Sequence, residues 1–349
     1  MIPQHRLLAI TQEEQDPATR YRIALHLPLL RAKGVDVVAT PWPRGEHERS
    51  ALLERATEFD SVVVQRRLLS RNDWNLLRKN ARLLAYDFDD AVMYRDSYHG
   101  HPWLLPDRIV RFRQVVTECD AITAGNRYLA ELALRVAKNG RIHQVPTTLL
   151  MGSYNPRTDP FPSARFSAGW IGQHTNFPYL EALGNPLREL AKLNPGFSLV
   201  TISDRIPRIE GIALETIPWK AETEAQALAG IDVGLAPLAD NRWTRGKCGL
   251  RALQFLASGI PSVVSPVGTQ LELAEKGGCL AARSDDEWVF AVTQLINDEP
   301  LRRSIVARGM EIVEQHFVPA PWTDTLLSAW CGIQLMEVAV ADWHRTETP

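Results

Sequence analysis

Gly246–Gly268 reads G-K-C-G-L-R-A-L-Q-F-L-A-S-G-I-P-S-V-V-S-P-V-G, and this stretch decides the reading of the whole chain. Leu250, Leu253 and Leu256 recur at helical spacing, with Ala252 and Ala257 adding small apolar surface beside them. Gly259 can turn the chain out of a helix and Pro261 prevents its continuation. Ser262–Ser265 is then a short β-branched run fit for a buried strand, and Pro266-Val267-Gly268 is a loop able to approach a ligand closely. Lys247 is expected at the first turn of the helix, with Arg242 and Arg245 just upstream. Free N–H groups and partial positive charge at a helix start, beside such cations, suit a phosphate.

Strand-like and helix-like runs alternate on both sides of this unit. In the first half, strands are expected at Leu7–Thr11, Val35–Thr40, Ser61–Gln65, Leu83–Phe88, Ala121–Ala124 and Ile142–Val145. Helices are expected at Arg20–Lys33, Glu46–Glu58, Arg71–Asn80 and Arg127–Lys138. From Met151 to Ser167 the pattern lapses into Gly, Pro, Asn, Ser and Arg, with P-F-P-S at Pro160–Ser163, which reads as a linker. A second series follows, with strands at Gly169–Ile171, Ser198–Ile202, Ile212–Ile217, Val233–Ala236, Ser262–Ser265 and Cys279–Ala281. Its helices are Pro178–Leu193, Glu222–Ala229, Leu250–Ala257, Gln270–Lys276, Asp285–Asn297 and Leu301–His316, the fifth opened by a Ser284/Glu287 capping box. This rhythm predicts two α/β domains with parallel sheets, at 1–150 and 168–318. The segment 151–167 links them, and 319–349 is a terminal segment.

Composition narrows the function classes. The chain has 349 residues, 45% hydrophobic and 23% charged, as a soluble two-domain protein would. A formal net charge of −2 gives no global case for nucleic acid. Cys119, Cys248, Cys279 and Cys331 are scattered without C-x-x-C spacing, which argues against a zinc site or disulfide framework. No apolar run has the length of a signal core or membrane span, so the expected location is cytoplasmic, with peripheral contact at the inner face of a membrane left open. The turn after the first strand reads T-Q-E-E-Q-D-P and lacks G-x-G-x-x-G, while Gly246-Lys247 is followed by Cys248 and so is no P-loop.

The segment 246–268 resembles the donor-binding segment of retaining glycosyltransferases with the GT-B fold, the broad family 4 group. Further matches run through the chain: Arg20-Tyr21-Arg22 resembles the R-Y-R of one bacterial branch, and Tyr86-Asp87-Phe88-Asp89-Asp90 its Y-D-x-D-D. Thr123-Ala124-Gly125-Asn126, Gly169-Trp170-Ile171-Gly172 and Asp232–Leu238 are similar to later strand ends of the same group. The resemblance implies two Rossmann-like domains facing across a cleft, an acceptor domain first and a nucleotide-sugar domain second, with 319–349 crossing back to brace the first. It implies transfer of a sugar from a nucleotide-diphosphate sugar to a saccharide, lipid-linked or secondary-metabolite acceptor, with retention and without metal or other cofactor. A non-catalytic nucleotide-sugar-binding or scaffold protein and a GT-B epimerase are the alternatives.

The same resemblance distributes the site residues. Lys247, Arg242 and Asp90 take the catalytic roles. Gly172, His174, Trp219, Arg245, Gln254, Ser265 and Gly268 contact the donor, Trp219 as the stacking partner of the base. Arg20, Arg22 and Asp89 face the acceptor. A basic residue beside a helix is ordinarily solvated or paired with an acid; it is the location before a helix that favours phosphate for Lys247. Asp87, Asp89 and Asp90 admit three readings: caps of a following helix, sugar contacts, or a metal-binding D-x-D. His174 is either a plain loop residue or a neighbour of the diphosphate. Trp322, Trp330 and Trp343 read as structural. Two departures stand out: the Glu-x7-Glu positions of many relatives hold Gly246 and Gln254, and Gln173-His174-Thr175-Asn176 replaces an Arg/Lys-bearing turn.

Overall fold

The computed structural model describes residues 5–95, 105–137, 141–154, 156 and 166–334. Pro160–Ser163 and Trp343 lie outside the described residues. The chain forms two compact units. Unit 1 takes the chain up to Leu149, then Arg245–Cys248 and the chain from Val318 on; unit 2 takes Leu150–Thr244 and Gly249–Phe317.

Unit 1 is built on β1 (His5–Thr11), β2 (Val35–Pro41), β3 (Ser61–Gln65), β4 (Leu83–Phe88), β5 (Ala121–Ala124) and β6 (Ile142–Gln144), in the order β2-β1-β3-β4-β5-β6 with every pair parallel. The strands are near-continuous apolar runs because helices cover both faces of the sheet. One face carries Leu7, Ala9, Val63 and Ala85 against Trp322, Leu326, Leu327 and Trp330, so the helix Thr323–Cys331 belongs to this core. The order reverses direction between β1 and β3, a switch point where the carboxyl ends of an open α/β sheet leave a crevice. The register aligns Gln65, Asp87 and Thr123 across β3, β4 and β5 at that edge.

Unit 2 repeats the plan with β7 (Phe166–Ile171), β8 (Phe197–Ser203), β9 (Ala213–Pro218), β10 (Val233–Ala236), β11 (Ser262–Val264) and β12 (Leu280–Ala281), in the order β12-β11-β10-β7-β8-β9, again all parallel. Its switch point lies between β7 and β10. Trp170, Leu199, Val233, Leu235 and Val263 pack with Trp288, Val292 and Leu295 of the helix Asp285–Asn297. Ser284 caps that helix by accepting from Glu287 N at 3.2 Å.

Four local expectations change. Pro178–Leu193 is not one helix but two, Phe177–Glu181 and Gly184–Leu193. Arg20–Lys33 is not one helix but a π turn at Thr19–Ile23, a 3-10 turn at Ala24–His26 and an α-helix at Leu27–Ala32. The wider turn points Tyr21, Arg22 and Ile23 inward together, which an α-helical repeat would not do. A helix at Pro106–Glu118, with Pro at its start and Phe112, Val115 and Val116 on its buried face, was not expected from the sequence. Lys247 is not in the first helical turn: Thr244–Gly246 is a 3-10 turn, Gly249 adopts φ +73°, and the helix begins at Leu250. The left-handed residue between Cys248 and Leu250 resets the chain direction, and glycine takes that conformation without a Cβ penalty.

Candidate functional site

At the carboxyl ends of β3 and β4 in unit 1, cations and carboxylates are matched. Arg22 is 3% exposed and Asp87 0%. The Arg22 Nε donates to Asp87 Oδ2 at 2.9 Å, its Nη2 to Oδ1 at 2.5 Å and its Nη1 to the Val145 carbonyl at 2.7 Å. Burial works against the Arg22 charge, and Asp87 outweighs it, so its pKa is raised. Thr123 Oγ1 donates to Asp87 Oδ1 at 2.6 Å and the Trp330 indole donates to Thr123 Oγ1 at 3.1 Å, which links the helix Thr323–Cys331 to the same pair. Arg22 therefore corrects one expectation. With all three guanidinium nitrogens engaged inside the unit, it presents no face to an acceptor. Arg20 is half-buried, its guanidinium 5.0 Å from the Tyr21 ring.

The two following aspartates sit in a turn. No helix starts between Asp89 and Arg95, so the capping reading of this cluster does not hold. Asp90 is paired twice, with Arg66 Nη2 and, at 3.6 Å, with Lys247 Nζ. Arg66 also lies 3.6 Å from Asp89 and 3.9 Å from Asp16. Among the described non-glycine residues Arg66 alone has positive φ, +61°. Such a conformation costs of order 1–3 kcal/mol and persists where surroundings over-determine it, here three carboxylates and a hydrogen bond from Arg66 N to the Asp87 carbonyl at 2.7 Å. Sequence reasoning missed Arg66, and only the reversal of strand order at β1 and β3 draws attention to it.

The segment Arg245–Cys248 is held on this edge by backbone contacts. Asn126 caps the helix Arg127–Leu134, accepting from Leu129 N at 2.9 Å. Its amide donates to the Arg245 and Lys247 carbonyls at 3.1 and 3.2 Å. Cys248 Sγ donates to the Asp89 carbonyl at 3.1 Å, and burial pushes that thiol up to about 12. A Cβ on Gly246 would meet Ala91 N at 2.7 Å. That close approach explains why no carboxylate stands at 246: any side chain there collides with backbone. Lys247, expected as a free phosphate cation, thus stands on Asp90, whereas Arg245 is exposed.

At the carboxyl ends of β7 and β8 in unit 2, His174 Nδ1 meets Asp204 Oδ2 at 2.5 Å, and His174 N donates to Oδ1 at 2.8 Å. Slight burial opposes ionisation of Asp204, but the hydrogen bonds from His174 prevail and hold its carboxyl below the ordinary range. Asp204, absent from the sequence reading, fixes the ring through Nδ1. Trp219 is half-buried and its indole donates to Glu224 Oε2 at 2.8 Å. Ser265 Oγ accepts from Leu238 N at 3.0 Å, tying the loop after β11 to the one after β10. Gln270 joins the same loops when its amide is oriented to donate to the Ala236 and Ser265 carbonyls, at 3.1 and 2.9 Å. Gly268 precedes the helix Thr269–Glu275, and Gln254 is buried in the helix Leu250–Ala257. Arg242 is exposed on a turn shaped by Asn241 Oδ1, which accepts from Trp243 N and Thr244 N at 3.0 Å each.

Arg251 is the third residue, after Arg66 and Asp204, that the sequence reading passed over. One position into the helix Leu250–Ala257, its Nε donates to the carbonyl of Ile171, the last residue of β7. Its guanidinium lies 4.4 Å over the Trp170 ring. A sequence pattern could only have flagged it as the one charge in an apolar helix.

Two parallel sheets, each with a switch point, match known structures over nearly the whole length. Sucrose-phosphate synthase from Thermosynechococcus elongatus superposes with a TM-score of 0.67 at 14% identity, over 91% of this chain and 95% of its own. Anabaena HepE in complex with UDP and glucose gives 0.65 at 14% identity, over 93% and 98%. The chain has the GT-B fold. A putative UDP-N-acetylglucosamine 2-epimerase from Listeria monocytogenes shares it, with a TM-score of 0.59 at 11% identity over 93% and 95%. No protein-family model matches the sequence, and no curated protein does. In this GT-B chain no helix among the described residues is long and apolar enough to cross a membrane.

Proposed function

We propose that this GT-B protein transfers a sugar from a nucleotide-diphosphate sugar to a saccharide, lipid-linked or secondary-metabolite acceptor, with retention of anomeric configuration and without a metal. The observation that carries the reading is the edge of unit 2. There the switch strands β7 and β10 end beside Arg251, the His174–Asp204 pair and the loop from Ser265 to Gly268. Fixed donors and cations at that edge suit a diphosphate, whose charge grows as the bond to the sugar breaks. Stabilising that charge more than the ground state is what accelerates the step. The acceptor then attacks the face the diphosphate leaves, giving its proton to a phosphate oxygen.

The second reading is an epimerase or a non-catalytic nucleotide-sugar binder. It is favoured by Gly246 and Gln254, which stand where many relatives carry carboxylates, and by the fold shared with the Listeria protein. Incubation with a panel of nucleotide sugars, with and without candidate acceptors, separates the readings. Acceptor-dependent release of nucleoside diphosphate, with an NMR coupling constant showing the donor's anomeric configuration kept, supports transfer. Release of an epimerised free sugar supports the epimerase, and binding without turnover the binder.

A further inference from the structure

We infer that Arg251 is the residue with which unit 2 grips the diphosphate of its nucleotide ligand. The inference rests on the donor reading above and adds a residue that the family resemblance does not assign. Its first support is an imbalance of charge. Among the described residues no carboxylate pairs with Arg251: it has the Ile171 carbonyl, the Trp170 ring and, acting through charge alone, the Tyr179 phenol. Burial lowers its pKa from the ordinary arginine value, yet a guanidinium keeps its proton in a protein. A cation partly removed from water without a counter-ion is unfavourable, and an arriving anion relieves that cost.

The second support is the company it keeps. The helix Leu250–Ala257 has eight residues, and its N-cap, Gly249, has no side chain to satisfy the free amides of the first turn. Thr269, whose methyl would lie 3.2 Å from a Cβ on Gly249, is 3% exposed, and its hydroxyl has no hydrogen-bond partner. The Trp170 ring lies under the guanidinium, and its buried indole N–H has no acceptor. Gly172 leaves the approach open, since a Cβ there would come within 2.6 Å of Arg251 Nη2. Unsatisfied donors, a helix start and an unpaired guanidinium thus gather where β7, β10 and β11 end. A planar fork of N–H groups can hold two oxygens of one anion at once, and a phosphate of the donor supplies such a pair.

The alternative is that Arg251 only packs on Trp170. Arg251→Met keeps the volume over the ring and removes the charge, Arg251→Lys keeps the charge and removes the fork, and Thr269→Val removes the orphan hydroxyl. Calorimetric titration of the full chain with pyrophosphate, with UDP, GDP and ADP, and with the matching nucleosides reads all three. Expected is a loss of about tenfold or more in pyrophosphate and diphosphate affinity for Arg251→Met, as for loss of one charged hydrogen bond, with nucleoside affinity unchanged. Arg251→Lys and Thr269→Val are expected to lose several-fold. Unchanged pyrophosphate affinity in Arg251→Met, or in Arg251→Lys should the first variant not fold, overturns the inference. So does an equal loss for nucleoside and diphosphate. A wild-type protein that binds pyrophosphate but no nucleoside diphosphate would sink the donor reading and leave Arg251 an anion residue; one that binds neither overturns both.

Discussion

At the edge of β3 and β4, Asp87 is closed onto Arg22 and Asp90 onto Arg66 and Lys247, all inside unit 1. At the edge of β7 and β10, Arg251 faces a carbonyl and a ring with no carboxylate in reach among the described residues. Both edges are carboxyl ends of parallel sheets at a switch point, yet one has neutralised its own charges and the other has not. Charged residues at a crevice are therefore poor guides to function until their partners are known. A matched pair holds the fold together, and an unmatched cation is the one that still has an anion to find.

The largest effect that would test this contrast is on stability. Asp87→Ala leaves the buried Arg22 charge without its partner, a loss of about 3–5 kcal/mol for a buried pair broken on one side. It is expected to lower the urea midpoint for unfolding of unit 1; a loss under about 1 kcal/mol would mean that the pair is not structural.

A second effect comes from acid. Burial and the neighbouring Arg22 hold His26 at about 3, below its ordinary value of 6.5. The unfolded chain then binds a proton that the folded one refuses. Stability is complete above about pH 6.5 and falls as the pH drops toward 3, by at most roughly 1.4 kcal/mol per pH unit for one such group. Thermal melts from pH 7 to 4 should show this slope, and His26→Asn should flatten it.

The smallest effect separates Lys247 from Arg251. Lys247 is partly exposed and 3.6 Å from Asp90, so Lys247→Met is expected to change stability by less than about 1 kcal/mol. On pyrophosphate affinity it should act less than Arg251→Met. The reverse order would return the phosphate role to Lys247.

The fold was legible because its signals are local. Runs such as Ser61–Gln65, Leu83–Phe88 and Val233–Ala236 are short, largely apolar and alternate with helix-like segments, and the structure has them as strands at those bounds. The helix Pro106–Glu118 escaped because arginines interrupt its apolar face. Within the site, partners lie far apart in sequence. Nothing in R-Y-R tells that Arg22 will close on Asp87, or that Lys247 will meet an aspartate 157 positions earlier. Arg251 escaped for the opposite reason: it occupies a position between the apolar residues Leu250 and Leu253, where a solvated side chain is the ordinary expectation.

The helix Thr323–Cys331 has a consequence for how the molecule is made. Trp322, Leu326 and Trp330 complete the core around β1, β3 and β4, and Trp330 also supports Thr123 beneath Asp87. Unit 2 draws its core from one nearly continuous span, so it can close while synthesis is still under way. Unit 1 cannot. β1, β3 and β4 wait for the helix Thr323–Cys331, made some 235 positions after β4, and during that wait their apolar face lacks this cover, the stage at which a chaperone would find this chain.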